Sequence, residues 1–240
     1  MTKLFISDLH LQAARPDITE RFFRFLQTEA AEAEALYILG DLFEAWIGDD
    51  DPDEHNREVQ AAMRRLTDAG VAGYFMRGNR DFLIGDAFAE RTGFTLLDDP
   101  VVRDFYGTPV LLSHGDAYCT DDVEYQAFRR QSRDPAWQQQ VLSMSVEQRR
   151  ALAGQAREES RAAMVDKAED IMDVNADAVA AALREAGVTT LVHGHTHRPA
   201  VHELDLDGTP ATRIVLGDWY EQGTVLHWTP EGPDYRWKVL

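Results

Sequence analysis

The chain has 240 residues, with 24 lysines and arginines against 42 aspartates and glutamates, so its formal charge is −18. This length suits one large domain or two small ones, and the 44% hydrophobic content excludes a disordered or collagen-like protein. The negative charge argues against a protein that coats nucleic acid, because affinity for polyphosphate comes mostly from lysine and arginine, and taken alone it argues against any phosphate-bearing partner.

The N-terminal segment predicts neither a secretory signal nor a membrane span. Polar residues interrupt it by position 10, before an apolar run of signal-peptide length can form. Nowhere does the sequence reach the roughly 18 uncharged apolar residues that a membrane-spanning helix needs. We therefore expect a soluble or peripheral protein in a reducing, cytoplasmic setting, which the single cysteine, Cys119, also fits.

Short apolar runs that end in polar or glycine residues predict strands at 4–6, 36–39, 73–76, 110–112 and 189–192. Between the earlier runs, apolar residues return every three or four positions over 18–33 and 56–69, which predicts helices. This alternation indicates an α/β fold with largely buried strands. After His197 the pattern changes to short strands at 201–206, 212–216, 224–228 and 235–239, for which we expect a second, more antiparallel sheet.

The segment 121–168 differs from the rest, because it is helical in pattern and has no strand signal. Eight basic and six acidic residues lie between 124 and 167, so the local charge is +2 in a protein of −18. Its many apolar side chains are more than an isolated pair of helices could bury. Two interpretations remain open, a helical insertion packed on its own domain and a cap over a ligand. We expect a single domain over 1–240 with this segment inserted in it.

Side chains able to bind metal follow five of the predicted strands. In α/β sheets, groups at the carboxyl ends of strands converge on a shared crevice even when they are far apart in sequence. The side chains are carboxylate, imidazole and carboxamide, without thiolate, which suits Mn, Fe, Zn or Mg. The seven candidate ligands are Asp8, His10, Asp41, Asn79, His114, His195 and His197.

In this order the segments resemble the calcineurin-like metallophosphoesterase superfamily, whose pattern is D-x-H, GD, GN[HR][DE], H and GHxH. The resemblance implies a four-layer αββα sandwich of two mixed sheets with a centre of two divalent metal ions. One ion would be held by Asp8, His10, Asp41 and His197. The other would be held by Asn79, His114, His195 and again Asp41, which would bridge the two. Such a pair of ions activates water and neutralises charge on phosphoryl oxygens.

Arg80 stands where many members of the superfamily have a histidine that protonates an alkoxide leaving group. Arginine is no proton donor near neutral pH, but its planar fork binds phosphate oxygens. The substitution therefore favours a leaving group that needs no proton, such as a phosphate monoester, and hence cleavage of a diphosphate linkage. Asp81 and Asp116 have two open interpretations, as carboxylates that orient Arg80 and His114 respectively or as solvated surface carboxylates.

The segment after the second strand has no Asp-Arg-Gly, which argues against a protein phosphatase. Instead GDLFEAWIGDD, together with SDLHL, RGNRDFLIG, LSHGDAYCTDD and HGHTHRP, closely resembles the UDP-2,3-diacylglucosamine diphosphatase family of lipid A synthesis. The resemblance implies water attack on the α-phosphorus of UDP-2,3-diacylglucosamine, giving UMP and 2,3-diacylglucosamine 1-phosphate, or lipid X. It also implies manganese as the metal and a peripheral position on the cytoplasmic face of the bacterial inner membrane.

The same resemblance implies roles for individual residues. The catalytic residues would be Asp41, Asn79, Arg80 and His195. The substrate would be bound by Asn79, Arg80, Asp122, Ser160, Met164, Lys167 and His195. Met164 stands where the family usually has Asn or Thr, which puts that one hydrogen bond in doubt. The cap would provide an apolar groove for acyl chains, formed by Trp137, Leu142, Met144, Leu152 and Met164.

Alternatives from other classes remain. One is another two-metal phosphoesterase acting on a nucleotide sugar or a cyclic nucleotide, and another is a non-catalytic scaffold that binds a protein partner. Retention of all seven ligands argues against the scaffold. We expect an anionic membrane surface as a partner, through Trp137, Val141, Leu142 and nearby arginines, and neither nucleic acid nor an obligate protein partner. Two divalent ions and Arg80 would make the pocket positive despite the acidic exterior.

Overall fold

The computed structural model describes residues 2–165, 173–220 and 223–239, and the side chains of all of these except 159–165 and 235–239. The strands are β1 (Lys3–Ile6), β2 (Ala35–Leu39), β3 (Ala72–Met76), β4 (Thr95–Leu97), β5 (Val101–Phe105), β6 (Thr108–Ser113), β7 (Thr190–His193), β8 (Ala200–Leu206), β9 (Thr209–Val215), β10 (Thr224–Thr229) and β11 (Gly232–Val239). The helices are α1 (Pro16–Gln27), α2 (Glu54–Asp68), α3 (Asp86–Thr92), α4 (Val123–Ser132), α5 (Pro135–Leu142), α6 (Val146–Val165) and α7 (Ala176–Ala186).

Two mixed sheets form the centre of the molecule. The first has the order β11-β10-β1-β2-β3-β4, in which β1 to β4 are parallel and β10 lies antiparallel beside β1. The second has the order β5-β6-β7-β9-β8, with β6, β7 and β9 parallel and the two edge strands antiparallel. All the predicted strands are present, and in β4 and β5 the structure contains two more that the sequence pattern did not reveal.

The side chains of β1 show how the layers are built. Leu4 and Ile6 face the helices α1 and α2, whereas Phe5 points between the two sheets, because successive side chains on a strand face opposite ways. On the far side, α7 covers the second sheet with Val179 and Leu183. The predicted four-layer αββα arrangement is therefore confirmed. The predicted helix at 18–33 ends at Gln27, and a short 3-10 turn (Ala30–Glu32) follows it.

The expectation that the strands after His197 form one second sheet is wrong. Strands β8 and β9 join the second sheet, but β10 and β11 return to the first, where Phe5 of β1 lies opposite Leu226. Without β10 the free edge of β1 would leave buried backbone groups unpaired. Trp219 anchors the crossing between the sheets by packing edge-on against Phe22 and Phe25, with ring centroids 6.2 and 5.6 Å apart.

The segment predicted as a cap is formed by α4, α5 and α6 in the residues that the structure describes, and its end at 166–168 lies outside them. It packs closely on its own domain. Val141 is buried in the core beside the first sheet, and Trp137 packs on Phe82 with ring centroids 6.0 Å apart. Val141 is thus buried by the domain and adds nothing to an exposed surface, whereas Trp137 is half-buried. Within the described part, no helix has the length and apolar character to cross a membrane.

Arg149 fastens α6 to the loop after β2. Its guanidinium is buried, donates to the carbonyl of Ile47 at 2.7 Å and holds both carboxylate oxygens of Asp50. Asp50 is itself largely exposed, so solvent screens part of this ion pair. The two hydrogen bonds from Arg149 to this one carboxylate nevertheless fix the geometry of the contact.

We expect Arg149→Ala to lower the free energy of unfolding by about 1–2 kcal/mol, since the Ile47 carbonyl loses its donor and the paired hydrogen bonds to Asp50 are lost. Urea denaturation measures the change. Arg150→Ala is the matched control, because Arg150 lies on the same helix as Arg149 but is exposed, and it pairs with Asp51. Its effect on the free energy of unfolding should stay within about 0.5 kcal/mol. Equal effects of the two variants would contradict the anchoring role.

Candidate metal centre

The seven predicted metal ligands lie on loops at one end of the two sheets. These loops follow β1, β2 and β3 of the first sheet and β6 and β7 of the second. The first two loops are joined by their backbones, since the amides of Asp8 and His10 donate to the carbonyls of Gly40 and Asp41 at 3.1 and 3.0 Å. Side chains as far apart as His10 and His197 in sequence thus come into contact, with 3.3 Å between their Nε2 atoms.

Five of these seven residues have a backbone conformation that only glycine adopts without cost. Their φ angles lie between 51° and 70°, in the left-handed region, and the residues are Asp8, His10, Asp41, His195 and His197. A non-glycine residue held there stores about 1–3 kcal/mol of strain, which persists only when the surroundings fix it. Apart from Tyr106 and Asp207, no other described non-glycine residue has a positive φ. The strain is therefore concentrated at the predicted ligands.

Asp8, His10 and His197 form one half of the site. Nδ1 of His10 lies 2.9 Å from Oε2 of Glu44, and Nδ1 of His197 lies 3.4 Å from Oδ2 of Asp218. A carboxylate only accepts, so Nδ1 of His10 carries a hydrogen that it donates to Glu44, and Nε2 of His10 faces the centre. The two Nε2 atoms are 3.3 Å apart, and Oδ1 of Asp8 is 3.3 Å from Nε2 of His197.

Asn79, His114 and His195 form the other half. Nδ1 of His114 donates to the carbonyl of Leu39 at 2.9 Å, which again directs Nε2 inward. That Nε2 and Nδ1 of His195 both lie 2.9 Å from Oδ1 of Asn79. The amide oxygen of Asn79 is thus met by two ring nitrogens from the second sheet.

Asp41 lies between the two halves. Its Oδ2 is 3.8 Å from Nε2 of His10, and its Oδ1 is 3.7 Å from Nε2 of His114. The backbone amide of Arg80 donates to Oδ1 at 2.8 Å and fixes the carboxylate. One carboxylate oxygen toward each half is the arrangement that a bridging ligand requires, so the position of Asp41 is compatible with the predicted bridge.

The residues fit divalent metal ions because nitrogen and oxygen atoms that can bind a cation lie close together. Nε2 of His10 and Nε2 of His197 are 3.3 Å apart, and Oδ1 of Asp8 is buried and accepts no hydrogen bond from any residue in the described part of the chain. A metal ion satisfies such a set of oxygen and nitrogen atoms. Asp8, His10 and His197 form one close group of possible ligands, and Asp8, Asp41 and His114 form another.

The charges of the metal-free site also favour the binding of a cation. Burial disfavours protonation of His114, but the carboxylates of Asp41, Asp116 and Asp8 outweigh it and raise the pKa of His114 to about 9. Burial would raise the pKa of Asp8, yet His197 and the other imidazoles lower it below the usual range. A proton thus compensates the carboxylates where a metal is absent, so metal binding must displace it.

The sequence is similar to proteins of known activity along its whole length. Residues 1–199 match the family of calcineurin-like phosphoesterases. Curated relatives called UDP-2,3-diacylglucosamine hydrolase are 56% identical in Stenotrophomonas maltophilia (strain R551-3), over 94% of both chains, and 53% identical in Cellvibrio japonicus (strain Ueda107), over the full length of both. Among solved structures, an archaeal phosphodiesterase shares the fold, with a TM-score of 0.52 and 13% identity over the full length of both chains.

The chain belongs to the calcineurin-like phosphoesterases, in their UDP-2,3-diacylglucosamine hydrolase family. This confirms the resemblance on which the sequence analysis depended. Membership of a hydrolase family also confirms the prediction of a metal-dependent enzyme over that of a non-catalytic scaffold.

Two carboxylates of this phosphoesterase do not act as predicted. Asp81 does not orient Arg80, because its oxygens accept from the backbone amides of Gly78 and Leu42 at 2.7 and 2.8 Å. It ties the loop after β3 to the loop after β2, and burial together with the Asp41 carboxylate raises its pKa to about 6. Its oxygens are therefore occupied by loop amides and not by the Arg80 guanidinium.

Asp116 does not orient His114, whose Nδ1 is already bonded to a carbonyl. Its carboxylate instead forms ion pairs with Arg129 at 3.0 Å and Arg133 at 3.4 Å and accepts from the hydroxyl of Tyr125 at 2.9 Å; Tyr125 and Arg129 lie on α4 and Arg133 directly follows it. Asp116 therefore attaches the first cap helix to the second sheet. Its charge still acts on His114 through space.

The predicted substrate residues are only partly described. Nε of Arg80 is buried and has no hydrogen-bond partner among the described residues, and Asp122 caps α4 by accepting from the amide of Tyr125 at 3.0 Å. Ser160 and Met164 lie on α6, but their side chains are outside the described ones, and Lys167 lies outside the described residues altogether. The roles predicted for these residues stay predictions.

Sequence reasoning missed Glu44, Asp218 and Tyr220, which surround the histidines of the first half. The ring of Tyr220 stacks on His10, with centroids 5.1 Å apart. A signal existed for Asp218, because Gly217 and Asp218 follow an apolar strand in the same way as Gly40 and Asp41. Glu44 is inside the quoted segment after β2, but its spacing gave no indication of the contact with His10.

Gly78 is required because the backbone at this position lies against Asp41. A Cβ there would come within 2.4 Å of the Asp41 amide nitrogen and closer still to its Oδ1. We expect Gly78→Ala to displace Asp41 and weaken Mn²⁺ binding by about tenfold or more, the size of effect that mutated supporting residues have. Gly154→Ala is the control, since a Cβ there meets open space and its helix gains up to about 1 kcal/mol. Unchanged Mn²⁺ titration of the Gly78 variant would contradict this packing.

Proposed function

We propose that this protein hydrolyses the diphosphate bond of UDP-2,3-diacylglucosamine by water attack on the α-phosphorus, giving UMP and 2,3-diacylglucosamine 1-phosphate, a step of lipid A biosynthesis. The observation that carries the proposal is the close set of metal-competent residues, five in two groups of possible ligands with Asn79 and His195 bonded beside them, in a chain that shares more than half its sequence with hydrolases of this name. The cap beside the site is where an acylated substrate would lie.

The metal ligands and Arg80 have different roles in the proposed reaction. When bound, divalent ions supply a nucleophile from water and charge for the phosphoryl oxygens. The buried Nε of Arg80, which has no hydrogen-bond partner among the described residues, provides a donor for a phosphate oxygen. The leaving group is itself a phosphate monoester, which departs as a stable anion, so the reaction needs no acid where other members of the family have histidine.

The proposal also covers the identity of the metal and the location of the protein. We take manganese as the metal, since the oxygen and nitrogen donors suit it and the resemblance implies it. We also place the protein peripherally on the cytoplasmic face of the bacterial inner membrane, with an anionic bilayer surface as its partner. The support is the cap, on which Leu142 and Leu152 are exposed and which also carries the exposed Arg130.

The reaction is tested by incubating the full chain with UDP-2,3-diacylglucosamine and Mn²⁺ and measuring UMP. We expect UMP formation that a chelator abolishes. Asp41→Asn should lower the rate at least about a hundredfold and release one or both metals, because a neutral amide cannot bridge two cations as a carboxylate does. Hydrolysis of other nucleotide sugars or cyclic nucleotides without UMP from this substrate would support the alternative phosphoesterase instead.

Membrane association is tested by flotation with anionic liposomes at low salt. We expect the protein to float, and Leu142→Gln with Leu152→Gln to reduce the bound fraction, since both side chains are exposed on the cap. Val201→Gln is the control, because Val201 is equally exposed on β8, away from the cap. The absence of flotation, or equal loss in the control, would contradict a cap-directed membrane contact.

A further inference from the structure

Glu44 connects the candidate metal centre with the cap. Its side chain is nearly buried, and its two carboxylate oxygens have different partners. Oε2 lies 2.9 Å from Nδ1 of His10, and Oε1 accepts from Nη2 of Arg157 at 2.7 Å. His10 belongs to the loop after β1, whereas Arg157 belongs to α6, so one carboxylate joins a predicted metal ligand to a cap helix.

The geometry of this contact orients His10. A carboxylate oxygen of Glu44 lies 2.9 Å from Nδ1 of His10 and accepts its hydrogen, which leaves Nε2 of His10 as the metal-facing atom. The same bond holds the plane of the ring. Carboxylates that support ligating histidines in this way change metal affinity when they are removed.

The other cap arginines make a useful contrast. Arg149 and Arg150 also tie α6 to the domain, but they pair with Asp50 and Asp51 and touch none of the predicted ligands. Arg157 is two turns further along the helix and alone among these three reaches a group bonded to the site. It also precedes Ser160, a predicted substrate contact, by three residues.

We propose that Glu44 is a positioning residue that couples the docking of α6 to metal binding at His10. This rests on the proposed function only in taking the seven-residue cluster as the metal centre. With α6 docked, Arg157 holds Glu44 and Glu44 holds His10 in its metal-binding orientation. By reciprocity, metal bound at His10 stabilises the docked helix, so the cap and the centre assemble together.

The test is Mn²⁺ titration of the full chain without substrate, followed by the EPR signal of the free ion. His10→Ala identifies which binding step belongs to this half of the site. In that step we expect Glu44→Ala to weaken binding about 10- to 100-fold. Arg157→Ala should weaken it at least about threefold, although Arg157 touches no predicted ligand, and Arg150→Ala should leave it unchanged.

The double variant decides whether Arg157 acts through Glu44. We expect Glu44→Ala with Arg157→Ala to bind Mn²⁺ no more weakly than Glu44→Ala, since the connection is already broken. Unchanged affinity in Arg157→Ala, or additive losses in the double variant, would overturn the coupling. Thermal unfolding of the metal-free variants shows whether each of them folds. If Glu44→Ala is unfolded, Glu44→Gln replaces it in the comparison of single and double variants. Because no substrate is present, failure here is distinct from failure to form UMP.

Discussion

The structure depends on a concentration of possible metal ligands at one end of two sheets. Inward-facing Nε2 atoms of His10, His114 and His197 lie 3.3 to 3.8 Å from one another or from the carboxylates of Asp8 and Asp41. The strained backbone at most of these ligands shows that the surrounding loops force this arrangement. Bound cations make this arrangement of side chains favourable, so the fold holds the residues in place for a divalent metal ion.

Sequence reasoning placed part of the centre because parallel strands of one sheet end at a common edge, so Asp8, Asp41 and Asn79, which follow β1, β2 and β3, could be placed together without coordinates. Sequence reasoning failed where a residue or strand had more than one possible partner. Asp81 accepts from loop amides, and β10 pairs with β1 in the first sheet. Both contacts satisfy buried backbone groups, which a local sequence pattern does not reveal. Glu44 was missed because its contacts, with His10 and Arg157, depend on how distant loops pack.

The cap shows why the total charge is a poor guide to the partner. Its arginines do not form a uniform basic surface, because Arg129, Arg149 and Arg157 are used in ion pairs with carboxylates of the domain. These pairs attach the cap on both sides of the candidate centre. The acidic exterior gives solubility, whereas the sign of charge at the centre is set locally by the metals and Arg80.

The central claim, that two metal ions complete this cluster of possible ligands, is tested most directly by anomalous diffraction from crystals grown with Mn²⁺. The account predicts two peaks, one among Asp8, His10 and His197 and one among Asn79, His114 and His195, with Asp41 between them. A single peak, or peaks away from these side chains, would contradict it.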